Sequence, residues 1–346
     1  MTGVTAKDIA AHLGLSPSAV SLALNGKPGV SDQTRDAILE AAIRLGYNSS
    51  RIPTMITSHR RLCFVFYVNR LVSIAENTTF SSFVLQGVES AASALGYSTQ
   101  VRYLRAGESI EKQASEICEQ ADGIILLGTD VTPDSFSEIE NFIAAARLLP
   151  MVVVDSFLLS DKLDCVGNDN YGGARQAAEY LLARGCKRIG YLRSKHRILN
   201  FNEREAGLRG ALDEAGLEVA AVVNIGISFD EAIVDMNAYL DSGAARPDAF
   251  FAENDVIAAA ATRVFKARNI QVPRQVSVVG FDNIPICDLA DPALTTVHSF
   301  KERLGELSVE LLHKRLVAGQ NTVTAADNGL LRVALSTRLQ IRNSVR

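Results

Sequence analysis

From residue 62 to residue 346, short runs rich in Val, Ile, Leu and Phe take turns with amphipathic helical stretches, and this alternation limits the possible folds more than any other feature. The runs that read as strands are Leu62–Val68, Gln100–Leu104, Gly123–Leu127, Met151–Asp155, Arg188–Leu192, Ala220–Ile225, Ala249–Ala252 and Ser277–Phe281. Between most of them lie helical patterns such as SFVLQGVESAASALGY, YGGARQAAEYLLARG and EREAGLRGALDEAG. Strands buried on both faces carry continuous apolar runs, and parallel strands need a long crossover, usually a helix. The pattern therefore predicts an α/β body with doubly wound parallel sheets. About 280 residues exceed one such sheet, so two lobes are expected. A ligand then belongs in the cleft beyond the C-terminal ends of the strands.

Residues 1–47 follow another rhythm. Thr5 precedes AKDIAAHL, with Asp8 in the first turn, and Gly14 breaks that helix. Ser16-Pro17 opens a second helix, with Ser as N-cap and Pro where its missing N–H does no harm. Ser31 caps a third, which runs to Gly46. Apolar residues recur at helical spacing: Ile9 and Leu13; Val20, Ala23 and Leu24; Ala37, Ile38, Ala41, Ala42 and Leu45. Three short helices around one small core, with a tight glycine turn between the first two, predict a helix-turn-helix head. Its second helix would enter the major groove of DNA N-terminus first. Pro17, Ser18, Ser21, Leu22 and Asn25 would then face outward, with serine hydroxyls for base edges and Leu22 for a thymine methyl. The alternative is a helical module with no DNA role, in which Leu22 packs on a neighbour.

Charge fits the first reading. Residues 1–61 hold seven Lys/Arg against four Asp/Glu, although the whole chain is at −4. A basic head on an acidic body suits phosphate contact at one end. Residues 48–61, NSSRIPTMITSHRR, are polar and basic and read as a linker. The five cysteines are scattered without CxxC spacing, as expected of thiols in a reducing compartment. The N-terminus lacks an apolar signal core and no apolar run is long enough for a bilayer, so a cytoplasmic location with no membrane partner is expected. The five histidines lie far apart, and GxxxxGK[ST], GxSxG, HExxH and GxGxxG are absent, so neither a metal, a cofactor nor a catalytic residue is expected. Two rivals can be weighed. A transport binding protein would need an export signal and no helix-turn-helix. An enzyme such as a sugar kinase or nucleosidase would need a phosphate loop or paired carboxylates.

The head carries VSxxLN (residues 20–25) and then GVSxxTRxxIxxAxxxLGY (29–47), and with them it resembles the DNA-binding head of the LacI/GalR repressor family. The resemblance extends, more loosely, through VGNDNYGGARQAAEYLLARGCKRIGYL, FNEREAGLRGAL, PDAFFAENDVIAAAA, VSVVGFDN and DPALTTV, which look like that family's two-lobed periplasmic-binding-protein-like body. It implies a homodimeric repressor that takes a pseudo-palindromic operator in double-stranded DNA and is controlled by a small-molecule effector, a sugar, between the lobes. It implies a hinge helix over 48–61 with Ile56 wedged into the minor groove, where the family usually has Leu. Thr5, Ser16, Pro17, Ser18, Ser21, Leu22, Asn25, Ser31, Arg51 and Ile56 form the implied DNA-binding set. Leu22 stands where Arg is common, so readout at that base pair should differ.

The implied organisation is a head (1–47), a linker (48–61), one lobe of 62–168 with 299–325, and another of 169–298 with 326–346. The implied ligand set is Phe80, Phe83, Asp155, Arg204, Ile227, Asp255 and Ser299. Asp155, Arg204 and Asp255 would face the cleft and bond sugar hydroxyls, and Phe80 and Phe83 would stack on a ring or belong to the core. Ile227 replaces a common aromatic, with Phe229 two residues on, and Ser299 replaces an amide found in one member.

Overall fold

The computed structural model describes residues 4–25, 27–47, 60–68 and 79–346. The head is three helices: α1 (Ala6–Leu13), α2 (Pro17–Leu24) and α3 (Asp32–Arg44). Asp8 accepts hydrogen bonds from the Thr5 amide and hydroxyl at 2.8 and 2.7 Å, the Ser16 hydroxyl accepts from Ala19 N, and Ser31 accepts from Thr34 N. Ile9, Ala10, Val20, Ala23, Leu24, Ile38, Leu39, Ala41 and Ala42 make its core. Ala37, expected inside, is exposed, and Leu39 is buried instead. The inward arc of α3 is centred one position further along than the spacing of small residues suggests. Arg35 reaches from α3 to the Lys27 carbonyl at 2.7 Å and ties down the turn that follows α2.

Among the described residues the body holds two six-stranded sheets. The first contains β1 (Arg61–Val68), β2 (Ser98–Arg105), β3 (Gly123–Leu127), β4 (Met151–Val154), β5 (Asp164–Asn168) and β11 (Arg332–Leu335), in the order β11-β5-β4-β3-β1-β2 and parallel throughout. The second contains β6 (Ile189–Ser194), β7 (Ala221–Ile225), β8 (Ala249–Ala252), β9 (Ser277–Asp282), β10 (Thr295–His298) and β12 (Arg338–Gln340), in the order β12-β10-β9-β8-β6-β7. Only β12 runs antiparallel, against β10.

Helices cover both faces of each sheet. In the first lobe α4 (Phe80–Ala94) lies on one face; α5 (Ile110–Cys118) and α6 (Phe136–Ala145) lie on the other. In the second lobe α7 (Asn170–Ala183) packs with α8 (Leu199–Glu214), and α9 (Phe229–Asp241) with α10 (Asp255–Ala267). A short α11 (Ile286–Leu289) follows β9. The chain then re-enters the first lobe as α12 (Lys301–Val317), followed by α13 (Thr322–Asp327).

The expected return to the second lobe at residue 326 needs correction. Arg332–Leu335 pairs in register with Cys165–Asn168 of the first sheet, so the chain crosses back only between Leu335 and Arg338. A strand pairs where a free edge in register is available, and β5 offers it. β5 was not legible as a strand because DCVGN carries Asp and Asn. Its Asp164 is held by Arg315 of α12 at 2.8 and 2.9 Å and by Leu331 N at 2.7 Å.

α12 and α4 touch backbone to backbone. A Cβ on Gly87 would lie 1.9 Å from the Glu302 carbonyl oxygen, and one on Gly305 would lie 2.1 Å from that of Val84. Gly305→Ala must push the pair apart. It should cost about 1–3 kcal/mol of stability, read by chemical denaturation of the full chain.

Candidate functional site

Two surfaces matter. On the head, α2 turns Val20, Ala23 and Leu24 inward and leaves Pro17, Ser18, Ser21 and Asn25 exposed. Pro17 in the first turn and the Ser16 cap fix the N-terminal end of this rod. Ser16 and Ser18 hydroxyls lie 3.3 Å apart, and the Asn25 amide donates to the Ser21 carbonyl at 2.8 Å. Leu22 is half-buried, because its Cδ1 leans toward Gly29; a Cβ added there would come within 3.1 Å of it. Gly29 has φ +124°, a conformation suited to glycine, so the turn after α2 lets the leucine lie beside it. Thr5, Ser16 and Ser31 are exposed caps. Arg51 and Ile56, and with them the expected minor-groove wedge, lie outside the described residues.

The second surface is where the sheets' C-terminal edges meet. Parallel strands end together, so polar residues just after them converge. Asp155 follows β4, Asn168 ends β5, Glu253 and Asn254 follow β8, Asp282 ends β9, and Ser299 follows β10. Asp155 and Asp282 hold positive φ, +64° and +105°, which non-glycine residues adopt at a cost that tends to be retained at working sites. Arg204 of α8, 3% exposed, donates to Asn170 Oδ1 at 3.0 Å, the Glu253 carbonyl at 2.5 Å and Asp282 Oδ1 at 3.0 Å. Its guanidinium carbon lies 3.7 Å from the centre of the Phe281 ring. Across the cleft, Thr129 donates to Asp155 Oδ2 at 2.6 Å, and Asn200 of the second lobe donates to the Asp155 carbonyl at 3.1 Å.

Several buried polar atoms here have no hydrogen-bond partner among the described residues: Asp155 Oδ1, both amide atoms of Asn168, and Asn254 Nδ2. Asn254 spends only its oxygen, capping α10 by accepting from Ile257 N at 2.9 Å. Burial pushes the Asp155 carboxyl up to about 7, opposed by the Thr129 hydroxyl and by Arg204. Burial likewise raises Glu253 to about 7, against the pull of Arg197, whose guanidinium it accepts along with the Tyr191 hydroxyl and Ser194 N.

The expected ligand residues divide. Asp155 and Ser299 stand at the strand ends and the Arg204 side chain reaches them from α8, although Ser299 is fully buried and donates to the Asp282 carbonyl at 3.2 Å. Ile227 joins Ile198 and Phe201 in a small apolar cluster beside them, while Phe229 packs into the second-lobe core. Phe83 is half-buried, 5.6 Å from the Lys301 ammonium.

One expectation resolves to its alternative and one fails. Phe80 packs into the first-lobe core with Val84, Phe64 and Leu304 instead of offering a ring face. Asp255 points into its own lobe, accepting from Thr296 Oγ1 at 2.6 Å and Ile284 N at 3.0 Å, because its place in the first turn of α10 aims it at Gly280. The cleft-facing partner is its neighbour Asn254. Sequence reasoning also missed Asp282, although an acid closing an apolar run is the signal that selected Asp155. Asn168 was hidden with its strand. A cavity of about 510 Å³ lined by Thr262, Lys266, Gln271, Arg274 and Asp291 lies at the far end of α10 and contains none of these residues.

Comparison with known proteins agrees with this geometry. Residues 5–50 match the family model described as bacterial regulatory proteins, lacI family, and residues 178–345 match a periplasmic binding protein-like domain. The transcriptional regulator CelR of Thermobifida fusca is 30% identical over 349 residues, covering 98% of each chain. A solved structure of a CelR–cellobiose complex shares 28% identity and 99% coverage of each chain, with a TM-score of 0.70. The Lac repressor dimer bound to operator and an anti-inducer, at 23% identity, shares the fold over 99% of each chain with a TM-score of 0.67. This chain belongs to the lacI family of bacterial regulatory proteins and is a DNA-binding transcriptional regulator, not an enzyme.

Proposed function

We propose that the chain is a cytoplasmic repressor that binds a pseudo-palindromic operator as a homodimer, each α2 in one half-site, and that a neutral sugar held between the lobes sets its affinity for DNA. The observation that carries the effector reading is the set of unpartnered buried atoms at facing strand ends: Asp155 Oδ1 and the Asn168 amide on one lobe, Asn254 Nδ2 on the other. A buried polar group left unpaired costs about 1–3 kcal/mol, and sugar hydroxyls, each donor and acceptor, can satisfy all of them. A charged effector has less support. Lys301 commits its three N–H groups to backbone carbonyls, and Arg204 is committed to Asn170, Glu253 and Asp282. The cellobiose seen in the CelR complex is of the neutral class. Residues 80 and 255 leave the proposed ligand set, and Asn168, Asn254 and Asp282 enter it.

A thermal-shift screen of neutral sugars, sugar phosphates and nucleobases tests this, since a ligand stabilises the state it binds. A neutral sugar should raise Tm of the wild type, and Asp155→Asn should remove most of that rise. A rise produced only by nucleobases or sugar phosphates overturns the sugar assignment.

DNA contact is tested with a fragment that the protein itself selects from genomic DNA. Ser18→Ala and Leu22→Ala should each weaken binding about tenfold, as expected for loss of one base contact, with unchanged Tm for the exposed Ser18. Undiminished affinity in both variants removes α2 from the groove.

The raised Asp155 carboxyl makes a further prediction. Its proton is held more tightly in the folded protein than in the unfolded chain, so stability is full below the ordinary carboxylate value and is lost as pH rises through about 7. Without ligand, Tm should fall as pH rises from about 4 to about 7 and level off above that, and fall less in Asp155→Asn.

A further inference from the structure

We propose that α12 is a strut carrying the state of the cleft to the base of the head's linker, with Lys301 and Arg60 as positioning residues at its two ends. The inference rests on contacts at both ends of one helix. At the cleft end, Lys301 is 3% exposed, and its ammonium donates to the carbonyls of Asp282 at 2.6 Å, Ser299 at 3.2 Å and Asn283 at 3.3 Å. Asp282 is also the carboxylate that holds Arg204, so the first residue of the strut is tied to the cleft wall. At the other end Arg60, the residue before β1, donates to the Leu316 carbonyl at 3.3 Å. That carbonyl lies in the last turn of the helix, where a cation is favoured. Next to it, His313 bonds the Tyr97 hydroxyl at 2.8 Å. Arg315 grips Asp164 with two N–H groups, at the edge of the first sheet opposite the cleft.

Between these ends the helix has little room to bend. It is 17 residues long, so it spans roughly 26 Å at 1.5 Å per residue. The Gly87–Gly305 approach leaves no space between it and α4, whose Phe83 ring lies under the Lys301 ammonium. A close-packed interior shifts as a unit instead of deforming locally. A change in the carbonyls that hold Lys301 must therefore reach the Leu316 carbonyl, and through it Arg60, where the linker begins.

The test is amide hydrogen exchange on the full chain without DNA or effector, so its failure would leave the regulator reading standing. Lys301→Met should speed exchange at residues 60–66 by about threefold or more. α5, on the opposite face of the same sheet, should be unchanged. Arg60→Met, at a half-buried site, should reciprocally alter exchange at residues 282–284, since coupling between two sites runs equally both ways. If Lys301→Met does not fold, the Arg60→Met result decides alone. Acceleration confined to the mutated end, or spread equally to α5, overturns the proposal.

Discussion

The arrangement of the second lobe depends on one buried cation. Arg204 sits over the Phe281 ring and reaches three strand or helix ends at once: Asn170 at the start of α7, the Glu253 carbonyl after β8, and the Asp282 carboxylate at the end of β9. A planar guanidinium with divergent N–H groups can do this, and an ammonium cannot. Removing it would leave Asp282 charged and buried, a loss of about 3–5 kcal/mol in comparable pairs. Asp282 in turn offers its carbonyl to Ser299 and Lys301. The residue that shapes the cleft wall is thus one step from the residue that opens the returning helix.

The cleft is built from convergence more than from any single motif. Sheets whose neighbouring strands run parallel deliver their C-terminal ends to one edge, and here polar side chains fill that edge on both lobes. The body pays for this with carboxyls that burial holds partly protonated, Asp155 and Glu253 among them. It also accepts left-handed backbone at two aspartates. Such local costs persist where surrounding packing fixes the geometry, as it does around Arg204.

How much the sequence revealed follows from where each signal lies. The head was legible nearly throughout, because its caps and apolar spacing are local: Ser16, Val20 and Leu24 stand as their neighbours dictate. Strands made of Val, Ile and Phe were legible for the same reason. β5 was not, since its Asp164 reads as a surface residue until Arg315 arrives from 151 residues away. The site was partly legible. Asp155 and Arg204 follow apolar runs or lie in a distinctive helix, but whether Asn254 or Asp255 faces the cleft depends on which of two neighbours becomes the cap of α10. One residue of phase decides that, and packing sets the phase. The resemblance puts residues 332–335 in the second lobe, and they pair in the first, because pairing is a contest between edges, and edges are not visible in a single sequence.

The last two strands carry a consequence of their own. β11 and β12 are only two residues apart, yet each closes the outermost edge of a different sheet. An uncovered edge offers a row of unpaired amides and carbonyls to any strand that meets it. Proteolytic trimming of the final fifteen residues would therefore strip the border from both sheets in one event. Such a nicked molecule would be prone to self-association along two edges.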